Sequence, residues 1–155
     1  GNINALRDWG HAKDYVRMQW MMLQQDKPHD FVIATGKQHS VREFIEWSAK
    51  FLGIILEFSG NGLNEIGKVS KIIGDKVPKI KVGQIIVRID KRYFRPAEVD
   101  SLLGDPSKAK EMLGWEPQIT LKEICKEMIE EDYKAALRYR LLKDSGFELP
   151  ISIED

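Results

Sequence analysis

The chain has 155 residues, of which 43% are hydrophobic, and its 24 basic and 24 acidic residues cancel. This content suffices for one folded domain with an apolar core, and the balanced charge excludes a broad field that would favour nucleic acid or an anionic membrane surface. No apolar run approaches the roughly 20 residues of a membrane-spanning helix, and a single cysteine, Cys125, excludes an internal disulfide. We therefore expect a cytoplasmic protein with no nucleic-acid or membrane partner.

The first two predicted elements are a helix and a strand. Residues Asp14 to Gln25 carry apolar side chains at helical spacing, which predicts an amphipathic helix that buries Val16, Trp20 and Leu23. Residues 31–35 form a short apolar run, partly β-branched, and such a run favours a buried strand over a helix.

Two capping boxes mark further helix starts. In Ser40-Val-Arg-Glu43 and Thr120-Leu-Lys-Glu123 the hydroxyl can accept from a free backbone N–H, and the glutamate can reach back to the capping residue. The first of these helices should end at Gly53, because glycine readily adopts the left-handed conformation that closes a helix. The second is the longest, and its predicted buried stripe is Leu121, Ile124 or Cys125, Met128, Ile129, Asp132 and Ala136 or Leu137.

The segment between these helices predicts short strands and turns. Residues 54–58 and 85–89 are apolar runs that predict strands, whereas residues 63–83, rich in lysine and glycine, predict a loop or hairpin. Asp105-Pro106 has the chemistry of a helix start, and that helix should end near Gly114. The whole pattern predicts an α/β fold with three to five short strands and helices packed around them.

No catalytic constellation is visible in the sequence. Gly60 and Gly62 lack the third glycine of a dinucleotide-binding loop, so they predict a hairpin turn. Tyr139 and Lys143 match the Y-x-x-x-K spacing of short-chain dehydrogenases, but no cofactor loop precedes them. The three histidines have no metal-ligand spacing, and Cys125 lies on an apolar helical face. We therefore predict no catalytic, cofactor-binding or metal-binding residue in this chain.

Arg7, Arg95 and Glu98 are the candidates for binding a ligand. An arginine held ahead of a helix can direct its planar donors at a phosphate, and Arg95 could supply a second such group. Glu98 would lie one helical turn beyond Arg95, where a carboxylate could accept from both hydroxyls of a ribose. The alternative, which spacing alone favours, is that Arg95 pairs with Glu98 and Arg7 pairs with Asp14.

Two long blocks carry a resemblance to a known family. They are LRDWGHAKDYVRMQWMMLQ, Leu6 to Gln24, and RYFRPAEVDSLLGDPSKAKEMLGWEPQITLKE, Arg92 to Glu123. Both are similar to the C-terminal, substrate-binding part of the GDP-mannose 4,6-dehydratases, which belong to the extended short-chain dehydrogenase/reductase superfamily. The likeness covers nearly the whole chain, and R-P-A-E-V-D distinguishes this family from related sugar-nucleotide epimerases.

The resemblance implies an α/β fold, namely the C-terminal substrate-binding portion of a Rossmann-type nucleotide-sugar dehydratase. Residues 1–36 would be the end of the dinucleotide-binding domain, and residues 37–155 the sugar-nucleotide-binding domain. Arg7 and Arg95 would hold the diphosphate of GDP-mannose, and Glu98 its ribose. In the family, NADP takes a hydride from C4 of mannose, water is eliminated across C5 and C6, and the hydride returns to C6 to give GDP-4-keto-6-deoxy-mannose.

The resemblance also marks what the sequence lacks. The glycine-rich loop for NADP, the acid and base, and the catalytic tyrosine and lysine belong to an N-terminal part of the family that has no counterpart here. We therefore expect a C-terminal piece of a longer enzyme, a homo-oligomer when complete and inactive as this chain alone. The alternative is a non-catalytic sugar-nucleotide-binding or interaction module.

Overall fold

A computed structural model describes residues 1–74, 77–93 and 99–147. In chain order they form β1 (Leu6–Arg7), α1 (Ala12–Leu23), β2 (His39–Ser40), α2 (Val41–Phe51), β3 (Ile54–Ser59), β4 (Ile66–Ile72), β5 (Ile85–Arg88), α3 (Ser107–Leu113) and α4 (Leu121–Asp144). Two short 3-10 turns occupy Gly62–Asn64 and Lys91–Tyr93. Short strands with helices confirm the predicted α/β class. No helix in the described part of the chain is long and apolar enough to cross a membrane.

The larger sheet contains β3, β4 and β5, antiparallel and in that order. The prediction of a loop or hairpin for residues 63–83 missed its central strand, β4. This strand turns Gly67 and Val69 inward and exposes Lys68 and Ser70, so Lys68 lies on the solvent side of an alternating pattern. α2 packs on this sheet around a core of Ala49, Ile54 and Val69.

Both predicted capping boxes are confirmed. The Oγ of Ser40 accepts from the N–H of Glu43 at 3.1 Å, and Glu43 accepts in return from the N–H of Ser40 at 2.8 Å. The corresponding distances between Thr120 and Glu123 are 3.3 and 2.7 Å. Gly53, with a φ of +73°, follows the last turn of α2 as predicted. Local sequence therefore sets where α2 begins and ends and where α4 begins.

A second core lies between α1, α3 and the chain that leads into α4. Its fully buried residues are Met18, Ala109 and Trp115. Asp14, itself buried, ties these segments together: its carboxylate accepts from the N–H groups of Gln118 and Ile119 at 2.9 Å each. The carbonyl of Asp14 accepts from the indole N–H of Trp115 at 3.0 Å. A single residue of α1 thereby fixes the approach to α4.

The predicted helix α1 is confirmed, but its predicted buried face is wrong. Val16, Trp20 and Leu23 are 61%, 62% and 81% exposed, whereas Met18 is fully buried. The reason is that α1 carries apolar side chains on two sides. In the described residues, Trp115 and its neighbours cover the side of Met18 and leave the other side open.

The strand predicted for residues 31–35 is also wrong, because no described strand pairs with this segment. A strand needs a neighbouring backbone to complete its ladder of hydrogen bonds. The side chains still alternate: Phe31 and Ile33 pack against the core at Trp115, while Val32 is 52% exposed. The side chains of this segment therefore alternate as in a strand, but no strand in the described chain pairs with it.

The stripe predicted for α4 is confirmed only at its beginning. Leu121 and Cys125 are buried, and Ser48 of α2 contacts Cys125. Beyond Cys125 the prediction is wrong for Met128 and Leu137, which are 48% and 49% exposed, and for Asp132 and Ala136, which are also exposed, whereas Ile129 is half-buried. α2 covers the start of α4, and the helix continues beyond it.

Candidate functional site

Arg7 lies on β1, a strand of two residues that is held on both edges. On one edge β1 pairs antiparallel with β2. On the other edge, the N–H of Leu6 donates to the carbonyl of Asp100 at 2.7 Å, and the N–H of Leu102 donates to the carbonyl of Leu6 at 3.2 Å. The backbone at Arg7 is therefore fixed between two segments that are distant in the sequence.

The guanidinium of Arg7 is fixed as well. Its Nη1 donates to the carbonyl of Leu6 at 2.8 Å and to the carbonyl of Val99 at 2.7 Å. Because the group is planar and carries five N–H donors, two bonds at one nitrogen set the plane in which the other donors lie. Arg7 thus contacts Val99, the first described residue after segment 94–98. That segment contains the sequence R-P-A-E.

The described chain on both sides of segment 94–98 lies against the N-terminal residues. A Cβ added to Gly1 would meet the carbonyl oxygen of Tyr93 at 3.0 Å, so Gly1 lies close to Tyr93. The side-chain amide of Asn2 donates to the carboxylate of Asp100 at 3.4 Å. Arg95 and Glu98 themselves lie outside the described residues. The structure therefore brings Arg7 to the border of their segment and leaves their own positions as predictions.

The block Arg7-Asp8-Trp9 is anchored by its other two residues. The carboxylate of Asp8 accepts from the N–H of Thr35 and the N–H of Gly36, each at 2.9 Å, and from the hydroxyl of Thr35 at 2.5 Å. The ring of Trp9 lies 5.5 Å from that of Phe44. Sequence reasoning missed these anchors; the signal was a carboxylate directly beside the candidate arginine.

One alternative for Arg7 finds no support in the structure. The carboxylate of Asp14 forms its ion pair with Arg17, at 3.6 Å, rather than with Arg7. It also accepts from two backbone N–H groups on the approach to α4. Asp14 is thus a structural residue of the second core. The predicted pairing of Arg7 with Asp14 is wrong.

A cavity of about 360 Å³ lies beside β1 and β2. Trp9, Lys37, His39 and Trp47 form part of its lining, together with the first residues of α4. His39 pairs with Arg7 in the ladder between the two strands, but Arg7 is not among the described lining residues.

The residues to which we assigned no catalytic or cofactor-binding role lie in a turn and on α4. Gly60 and Gly62 lie in the turn between β3 and β4. Tyr139 and Lys143 are both exposed on the second half of α4. Burial raises the pKa of the Cys125 thiol, which opposes formation of a reactive thiolate. Within the described ranges, no group of His, Cys, Asp or Glu could hold a metal ion.

Comparison with known proteins identifies similar sequences over nearly the whole chain. The model of the GDP-mannose 4,6 dehydratase family matches residues 1–128. A GDP-mannose 4,6-dehydratase of Vibrio cholerae is 66% identical over 154 residues, which cover 99% of this chain and 41% of the relative. A GDP-mannose 4,6 dehydratase of Dictyostelium discoideum is 51% identical over 132 residues, which cover 85% of this chain and 34% of the relative. The chain thus spans between about a third and two-fifths of the length of these curated relatives.

A solved structure shares the fold. RMD from Pseudomonas aeruginosa, complexed with NADPH, aligns with a TM-score of 0.57 at 19% identity, over 88% of this chain and 35% of that chain. At this identity the likeness carries the fold alone. It supports the predicted fold class, a portion of a larger α/β protein.

Proposed function

Because this chain belongs to the GDP-mannose 4,6-dehydratase family, we propose that it is the GDP-mannose-binding portion of such an enzyme. The observation that carries the proposal is the bond from Arg7 to the carbonyl of Val99, which joins positions 92 residues apart. It brings an arginine to the border of the segment that contains Arg95 and Glu98. Arg7 and Arg95 then bind the diphosphate of the nucleotide, and Glu98 binds its ribose.

The chemistry of a diphosphate suits two arginines. Its negative oxygens accept charge-assisted hydrogen bonds, each worth roughly 1.5–3 kcal/mol. Since β1 is held on both edges and Arg7 Nη1 is bonded to two carbonyls, one of the two guanidinium groups is positioned before the ligand arrives. Such preorganisation lowers the entropy that binding must overcome.

In the proposed enzyme the reaction converts GDP-mannose to GDP-4-keto-6-deoxy-mannose, toward GDP-fucose or related deoxyhexoses. The role of this chain is to hold the GDP moiety so that mannose is presented to the catalytic residues. NADP does not fit the described residues, because Gly60 and Gly62 form a turn between two antiparallel strands rather than a loop leading into a helix. The NADP site and the catalytic groups therefore belong to the part of the relatives that this chain does not span.

The division into domains is part of the same proposal. Residues 1–36 belong to the dinucleotide-binding domain and residues 37–155 to the sugar-nucleotide-binding domain. The exposed side chains of Val16, Trp20 and Leu23 support this division. A preceding domain would cover this apolar side of α1. The complete enzyme is proposed to be a cytoplasmic homo-oligomer, and this chain alone to be inactive.

Calorimetric titration of GDP-mannose into the chain tests the site. We expect Arg7→Ala, Arg95→Ala and Glu98→Gln each to raise Kd roughly 10- to 100-fold, as loss of a charge-assisted hydrogen bond implies. Arg7→Lys should recover part of the affinity, since lysine retains the charge and loses the planar fork. Arg88→Ala, which removes an exposed arginine of β5, is the matched control and should bind like the unmodified chain. Equal affinity in the unmodified chain and all five variants would refute the assignment.

Activity distinguishes the enzyme from a non-catalytic binding module. The chain can be joined to the preceding part of the Vibrio cholerae relative, and formation of the keto sugar measured. We expect turnover by the hybrid and an increase in KM on Arg7→Ala. Binding of GDP-mannose without keto sugar, in a folded hybrid that holds NADPH, would favour the module instead.

A further inference from the structure

The chain has a strongly basic region between the start of β4 and the turn after β5. Residues 66–92 contain eight basic and two acidic residues, a net charge of +6, so the rest of the chain carries a net charge of −6. Arg92 pairs with Asp90 at 3.1 Å. The other basic residues that the structure describes in this range are exposed and form no ion pair within the described chain. They are Lys68, Lys71, Lys79, Lys81, Arg88 and Lys91.

Part of this charge lies on the outer face of the larger sheet. α2 packs on the inner face, where Val69 is buried. Because side chains alternate along a strand, Lys68 of β4 and both Ile86 and Arg88 of β5 lie on the other face, and all three are exposed. Glu57, opposite Lys68 in the ladder, is the one acidic residue of the three strands. The outer face is therefore basic and partly apolar.

The turn that leads into β5 adds an exposed apolar side chain to this surface. The N–H of Gln84 donates to the carbonyl of Lys81 at 3.1 Å, and Gly83 between them has a φ of +85°. Val82, in the middle of this turn, is 63% exposed. The N–H of Gly83 donates to the carbonyl of Val69 at 2.7 Å, which fixes the turn to β4. We define the basic face as Lys68, Lys81, Val82, Ile86 and Arg88.

The mixture of basic and exposed apolar side chains suits the surface of a membrane that contains anionic lipids. The negative potential of such a surface attracts lysine and arginine, and apolar side chains enter the boundary between headgroups and acyl chains. Single-stranded nucleic acid is bound through stacking on aromatic rings, and residues 66–92 contain no aromatic residue. A second copy is disfavoured too, since two basic faces related by a two-fold axis repel each other.

We propose that the basic face docks on the surface of a membrane that contains anionic phospholipids. Lys68, Lys81 and Arg88 contact the anionic headgroups, and Val82 enters the boundary with the acyl chains. The docking is peripheral and needs no membrane-spanning helix. It does not rest on binding of GDP-mannose, because Arg7 lies on β1, outside the larger sheet. It is the opposite of the expectation that the balanced total charge suggests, because that total conceals two regions of opposite sign.

Sedimentation with lipid vesicles tests the docking. We expect the chain to sediment with vesicles of about 30% phosphatidylserine in phosphatidylcholine at about 0.1 M salt, and to stay in solution with phosphatidylcholine alone. Lys68→Gln/Lys81→Gln should weaken binding to the anionic vesicles roughly tenfold or more, and Val82→Ser roughly threefold or more. Lys27→Gln/Lys122→Gln removes the same charge at exposed positions outside the basic face. This matched control should bind like the unmodified chain.

Polyglutamate and single-stranded RNA, added as competitors, distinguish the other anionic partners. Circular dichroism must be equal in all variants, so that unfolding is not mistaken for loss of docking. Tighter binding of polyglutamate than of the vesicles, unaffected by Val82→Ser, would indicate an acidic protein and overturn the proposal. Tighter binding of RNA would overturn it as well. So would equal sedimentation with neutral and anionic vesicles, no sedimentation with either, or full binding by Lys68→Gln/Lys81→Gln.

Discussion

The two buried clusters of this protein are assembled in different ways. The cluster of Ala49, Ile54 and Val69 joins α2, β3 and β4, which follow one another along the chain. The cluster around Met18 and Trp115 joins distant segments, and the carboxylate of Asp14 ties positions 104 residues apart. The first cluster therefore forms between elements that are neighbours in the sequence, whereas the second depends on a few long-range polar contacts. The candidate site belongs to the second kind, because Arg7 is held by residues beyond position 98.

Loss of Trp115 should have the largest effect on stability. Its side chain is fully buried, and its N–H donates to the carbonyl of Asp14. We expect Trp115→Ala to lower the free energy of unfolding by roughly 3–5 kcal/mol, as is usual when a large core side chain is removed. Trp115→Phe keeps an aromatic ring without the N–H and should cost less. Urea unfolding followed by circular dichroism measures both, and a loss below about 1 kcal/mol for the alanine variant would show that this cluster does not hold the segments together.

Asp14 tests the polar part of the same cluster. In Asp14→Ala, the N–H groups of Gln118 and Ile119 lose their acceptor, and Arg17 loses its ionic partner. Each buried donor left without an acceptor costs about 1–3 kcal/mol, so we expect a total loss of about 2–4 kcal/mol after partial access of water. Asp26→Ala, at an exposed position just after α1, is the control and should leave the urea midpoint unchanged. Equal midpoints for the two variants would mean that Asp14 is dispensable.

Structural features that depend on bonds between residues close in the sequence could be predicted from the sequence. The capping boxes at Ser40 and Thr120 and the end of α2 at Gly53 each depend on bonds within a few residues, and all three predictions are confirmed. Helical periodicity was less informative, because it shows which side chains share a face without showing which face is covered. In α1, packing against Trp115 and its neighbours buries Met18 and leaves Trp20 exposed.

The candidate site divides in the same way. Arg7 was identified through its resemblance to a family, and the structure places it beside Val99. Neither that contact nor the anchoring of Thr35 by Asp8 could be predicted from spacing, because each joins segments separated by 27 or more positions. Arg95 and Glu98 stay predictions, since they lie outside the described residues. Titration of GDP-mannose into the Arg95→Ala and Glu98→Gln variants tests whether these two residues belong to the site.

The capping hydroxyls test the local rule at two places of different exposure. We expect Ser40→Ala and Thr120→Ala each to lower the free energy of unfolding by about 1 kcal/mol, because an N–H at the start of the helix loses its acceptor. Glycine at either position should cost only a few tenths of a kcal/mol, since it leaves the first turn open to water. Chemical denaturation of the four variants provides the comparison. Losses similar in size to that of Asp14→Ala would remove the distinction between the two kinds of cluster.

The smallest expected effect is a pH dependence from Glu43. The backbone N–H of Ser40 holds the pKa of Glu43 below its ordinary value of 4.5 in the folded protein, with a further contribution from His39. A carboxylate with a lowered pKa stabilises the fold above its ordinary pKa, and that stabilisation is lost as the pH falls below 4.5 and through the folded-state pKa. Glu43→Gln cannot titrate, so the difference in urea midpoint between the unmodified chain and this variant should shrink as the pH is lowered. Glu46→Gln, on the exposed side of the same helix, should follow the unmodified chain at every pH. If Glu43→Gln instead keeps a constant offset down to acid pH, the capping box contributes through its geometry and not through its charge.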